Sequence, residues 1–100
     1  MDRPRSVGMP WYRAQDYSRL LEVMEDADRL PGSHEAWRLS AEQVEGEVKR
    51  SGVAVVRVVI EPDGFVAWCT AHGLRANAAS RARFANESAA DPGLAAAARP

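Results

Sequence analysis

Val53-Ala54-Val55-Val56-Arg57-Val58-Val59-Ile60 is the stretch on which the reading of this chain turns. It is dominated by β-branched residues, which suit a pleated strand and not a helix. Alternation puts Ala54, Val56, Val58 and Ile60 on one face and Val53, Val55, Arg57 and Val59 on the other. Both faces are largely apolar, so one is expected to be well buried and the other at least partly. No second segment reads as a strand of comparable quality, which creates a requirement. A strand's N–H and C=O groups must pair, and a buried unpaired row is costly.

Three solutions are open. Two copies of residues 53–60 can pair antiparallel across a two-fold axis, with Val53, Val55, Arg57 and Val59 as the candidate dimer strand. A short segment near Trp11–Arg13 can complete a pairing inside the chain, although Pro10 removes one donor from any strand over Met9–Arg13. The strand can also add to the sheet edge of another protein.

Helical patterns flank the strand. Upstream, Ser33 is a good N-cap for a helix running to about Arg50. Its apolar stripe is Trp37, Ala41, Val44 and Val48, its Lys49 and Arg50 suit the C-terminal end of the dipole, and Gly52 lies just beyond. Before that, Tyr17, Leu20, Leu21, Met24 and Ala27 predict a first helix over about Gln15–Leu30, with Asp16 as N-cap and Pro31-Gly32 as the stop. Downstream, Glu61-Pro62-Asp63 opens a third helix with Phe65, Trp68, Cys69 and His72 inward, ended by Gly73. Asn77 caps a fourth, to about Ala89, with Ala78, Ala82, Phe84 and Ala85 inward.

The fold class expected is therefore α/β (α+β) and mostly helical, in the order helix-helix-strand-helix-helix, with one central strand paired across a homodimer. Residues 1–13 are expected to be a flexible N-terminal arm, since Pro4, Gly8 and Pro10 interrupt any periodicity. Residues 14–90 form one domain, and residues 91–100 are expected to be a disordered tail. Met9 is a possible alternative start.

The bulk numbers agree with one ordinary globular domain: 100 residues, 46% hydrophobic and 27% charged. A net charge of -1 gives no global attraction to nucleic acid or to an anionic membrane. Nine acids stand against five bases over residues 14–51, and the rest is mildly basic. The single cysteine, Cys69, excludes an intrachain disulfide, and the first residues carry no apolar leader core. The expected location is cytoplasmic.

Motifs that carry chemistry are few. Cys69 and His72 are spaced i, i+3, as a histidine-activated thiolate would be, yet a small core cysteine beside Trp68 is the plainer reading. Glu25-Asp26-Ala27-Asp28 lacks the spaced ligands and glycine turn of a calcium loop. There is no phosphate-binding glycine loop and no nucleophile elbow. No catalytic, cofactor or metal residue is assigned. Trp11 and Tyr12, with Arg75, Arg81 and Arg83, are the candidate interaction surface.

Two resemblances can be named on these residues. Met9-Pro10-Trp11-Tyr12-Arg13 with Asp16-Tyr17, then Val58-Val59-Ile60-Glu61-Pro62 with Phe65, Ala67, Trp68 and Cys69, and then Arg81-Ala82-Arg83-Phe84-Ala85 resemble a group of small uncharacterised bacterial proteins. That likeness implies no activity and no site residues. The order of strand Val55–Ile60, helix Pro62–His72 and helix Asn77–Ala89 resembles the ribbon-helix-helix family of dimeric DNA-binding proteins. There the outward ribbon side chains are polar and read bases; here Arg57 is the one polar member of the outward set. The leading expectation is a non-enzymatic protein acting through macromolecular interaction as a homodimer. The alternatives are a DNA-binding regulator of that type, or a small enzyme with a reactive Cys69.

Overall fold

The computed structural model describes residues 5–90. It is a mixed α/β domain of two strands and four α-helices in the order β1 (Arg5–Trp11), α1 (Tyr17–Val23), α2 (His34–Arg50), β2 (Val53–Val59), α3 (Pro62–Ala71) and α4 (Ala78–Ala90). Single 3-10 turns at Ala14–Asp16 and Ala27–Arg29 precede and follow α1.

The expected lone strand has a partner within the chain. β1 pairs with β2 in parallel, from Arg5 opposite Val53 to Trp11 opposite Val59. The stretch expected to be a flexible arm is thus corrected over Arg5–Trp11, while residues 1–4 and the expected tail 91–100 lie outside the described residues. Gly8 and Pro10, which argued against a strand, are both explained by position. A Cβ on Gly8 would sit 2.0 Å from the Ala85 carbonyl oxygen, so α4 presses backbone to backbone on β1 and only glycine fits. Pro10 is on an edge strand with its ring nitrogen turned away from the ladder, where no donor is needed.

The strand parity fixes which groups point where. Ile60 N–H donates to Trp11 C=O at 2.9 Å. Backbone polar groups alternate direction along a strand, so the odd residues of β1 and the even residues of β2 face each other. Side chains of paired residues share a face. Gly8, Pro10, Val56 and Val58 lie on the α4 side; Met9, Trp11, Arg57 and Val59 lie on the α2 side.

Local chemistry sets the helix ends. Ser33 Oγ accepts the Ala36 N–H at 3.2 Å, as expected of an N-cap, and Gly52 takes φ +93° after α2. Glu61 caps α3 by accepting the Asp63 and Gly64 N–H groups, with Pro62 at the first turn. Asn77 Oδ1 caps α4 through Ser80 N–H at 3.1 Å. The first helix is shorter than its apolar stripe suggests. Met24 turns extended, and Glu25 N–H donates out of the helix to Ala76 C=O at 2.8 Å. That break brings Asp26 to Arg81. Asp16 does not cap; its carboxylate takes Arg13 Nε at 2.7 Å.

Two stripes also shift. On α2 the inward residues are Trp37, Ala41 and Glu45, while Val44 is 50% exposed. On α4 they are Ser80, Arg81, Ala85 and Ser88, while Ala78 and Ala82 face solvent. The core gathers Tyr12, Tyr17, Leu20, Met24, Trp37, Ile60, Phe65 and Cys69. Full burial of Leu20, Ile60 and Phe65 stabilises by about 1.5–3 kcal/mol each. No helix among the described residues is long and apolar enough to cross a membrane.

Candidate interaction edge

The two outer edges of the sheet differ. On β1 the outward groups belong to Ser6, Gly8 and Pro10. Gly8 N–H is taken by Asn86 Oδ1 of α4 at 2.9 Å, and Pro10 has no N–H. Two of the three outward positions therefore offer no free donor to an incoming strand, the usual way an edge is protected. On β2 the outward groups belong to Val53, Val55, Arg57 and Val59. Among the described residues none of their N–H or C=O groups has a hydrogen-bond partner. The unprotected edge is thus the one formed by the strand that dominates the sequence.

Arg57 stands on this edge and is held. Its Nε and NH2 groups donate to the two carboxylate oxygens of Glu45 at 2.7 and 2.8 Å. Its guanidinium carbon lies 3.7 Å from the centroid of the Trp11 ring, which adds a cation–π contact. Arg57's hydrogen bonds hold the Glu45 carboxyl below the usual carboxylate range. The residue therefore presents a neutralised pair, on the α2 side of the sheet and still partly exposed. In the outward set that a ribbon-helix-helix arrangement would use for base reading, Val53 and Val55 are half-buried and Val59 is exposed, and the one polar member, Arg57, has its guanidinium taken by Glu45.

The candidate interaction residues fall into two groups. Tyr12 and Arg81 are buried, at 4% exposure each, and so cannot form a surface. Arg81 makes a two-pronged ion pair with Asp26, at 2.8 and 2.9 Å, beside the Tyr12 ring. That pairing holds the Asp26 carboxyl below its usual range, and burial pushes the Tyr12 hydroxyl up. Trp11 is half-buried, edge-on to Trp37 with ring centroids 4.9 Å apart. Arg75 and Arg83 are exposed, but Glu25 and Glu87 accept from them at 2.7 and 2.6 Å. The structure brings none of the three arginines together as a bare cationic patch. The sequence carried no signal for the Asp26–Arg81 pair, whose partners lie far apart in the chain.

Cys69 is buried, and burial pushes its thiol up, away from the thiolate a nucleophile needs. His72 is exposed, and its Nδ1 lies 2.8 Å from the Trp68 carbonyl oxygen. Among the described residues no group of acidic, histidine or cysteine side chains is arranged to hold a metal ion. One open groove of about 370 Å³ runs along α2 and is lined by Met9, Trp37, Ala41 and Val44, with Arg29 at its rim. No family model, curated protein or solved structure matches the chain.

Proposed function

We propose that this chain is a non-enzymatic protein that acts through macromolecular interaction, by accepting an added strand at the outer edge of β2. The observation that carries the reading is the contrast between the two edges: β1 is blunted by Asn86 and Pro10, and β2 offers the N–H and C=O groups of Val53, Val55, Arg57 and Val59. Main-chain hydrogen bonds would supply affinity, and the valines would supply side-chain contacts to alternate residues of the partner. A reducing, cytoplasmic setting suits the single buried Cys69. The three stretches that resemble small bacterial proteins fall on β1 with the turn before α1, on β2 running into α3, and on α4. These are the elements that build and flank the sheet, so membership of that group would fit a role carried by the sheet.

The test is a selection of displayed extended peptides on the protein at high dilution. Peptides rich in β-branched residues are expected to bind the wild type and to lose binding to Val55→Pro, which removes one outward donor and no ladder bond to β1. Peptides that bind both proteins equally would remove the edge from the function.

A further inference from the structure

We infer, on the strength of the edge reading above, that the strand added to β2 is the β2 of a second copy of this chain. The two strands run antiparallel about a two-fold axis at Val56, and two parallel pairs join into one four-stranded sheet of order β1-β2-β2-β1.

Closure favours a second copy. Among the described residues each chain has one open edge. Head-to-tail addition would need β1 as the receiving edge, and there Asn86 occupies the Gly8 N–H and Pro10 has none to give. Only the like-with-like contact remains, and such a contact closes at two copies.

Register favours it too. The outward residues of β2 are the odd ones, and they form the hydrogen-bonded pairs of an antiparallel ladder. An axis at Val56 sets Val53 against the partner's Val59 and Val55 against the partner's Arg57. All four outward residues are then used, in about eight main-chain hydrogen bonds. An axis at Val55 leaves Val59 unpaired. An axis at Arg57 leaves Val53 unpaired and sets two like charges directly opposite, which is destabilising.

Charge is compatible with it as well. With the axis at Val56 the two Arg57 residues sit diagonally, at about 7–8 Å. Each is already neutralised by its own Glu45 and backed by Trp11. The ion pair thus removes the repulsion that a bare arginine would bring to a self-pairing strand. Val59, 43% exposed in the single chain, gains a β-branched neighbour. The two α2 helices come to lie on one face of the joined sheet, splayed by strand twist.

The experiment is light scattering behind size-exclusion chromatography over a dilution series, on wild type, Val55→Pro and Val56→Cys. The wild type is expected to run at twice the chain mass and to fall toward the single mass on dilution. Val55→Pro is expected at the single mass with its circular dichroism retained. Val56→Cys is expected to form an interchain disulfide under mild oxidation, because an antiparallel non-hydrogen-bonded pair has Cα atoms about 4.5 Å apart, within disulfide reach. This variant decides the matter should Val55→Pro fail to fold. Wild type at the single mass at every concentration overturns the second copy as occupant and leaves the edge reading to its peptide selection. A dimer that survives Val55→Pro, or one in which Val56→Cys does not cross-link, overturns the inference by placing the interface elsewhere.

Discussion

At the scale of the residue, two positions govern this protein. Gly8 lies where the α4 backbone meets β1, and a methyl group there would overlap the Ala85 carbonyl. Gly8→Ala is expected to cost about 3 kcal/mol, at the upper end for overpacking, because backbone and not a flexible side chain must give way. Gly32→Ala, which meets open space, is the control and should be near neutral. Urea midpoints of the two variants check the pair. The second is the Asp26–Arg81 ion pair. Breaking a buried ion pair from one side leaves an uncompensated charge, so Asp26→Asn should cost about 3–5 kcal/mol at neutral pH. The pH dependence has a fixed sign. Asp26 and Glu45 both have folded pKa values below their unfolded ones, so their stabilisation is present above the ordinary carboxylate range. It is lost as pH falls through the folded values. Stability followed by urea titration from pH 7 to pH 3 should therefore fall less steeply in Asp26→Asn than in the wild type.

At the scale of the element, α2 shows what a helical pattern can and cannot say. Its limits, Ser33 cap and Gly52 stop were readable because they rest on local chemistry. Its inward face was misjudged by one position, since hydrophobicity favoured Val44 and the fold turned Glu45 inward to meet Arg57. Val44→Lys should therefore change stability by less than about 0.5 kcal/mol. Ala41→Leu, which adds bulk beneath the helix, should destabilise by about 1–3 kcal/mol. Thermal melts check both, and Val44→Lys decides between the stripes, since Ala41 belongs to each. β2 was readable from its β-branched run, and its need for a partner followed from unpaired backbone. β1 was not readable, because glycine and proline are penalised as strand residues unless a distant helix and an edge position explain them. The open edge was half-visible: the strand was evident, but which of its sides stays free depends on a register that only the pairing with β1 sets.

At the scale of the whole molecule, the two described ends of the chain hold each other. β1 is the first element and α4 the last, and they pack together through Gly8, Ala85 and Asn86. A chain begun at Met9 would lose the half of β1 that pairs with Val53–Val56, together with the Gly8–Asn86 bond. Such a chain is expected to lose more than about 2 kcal/mol, which for a domain of this size lowers the melting temperature by at least about 8 °C. Circular dichroism melts of the two chain lengths measure it. The bond between Gly8 and Asn86 also sets a clock. The two residues are 78 positions apart in the chain. At ordinary rates of synthesis, about 5–20 residues per second, Gly8 is made roughly 4–16 seconds before the side chain that will hold it. Its neighbour in the sheet, β2, is made only in the second half of that interval, and β1 still lacks its helix until the last turns of α4 bring its waiting to an end.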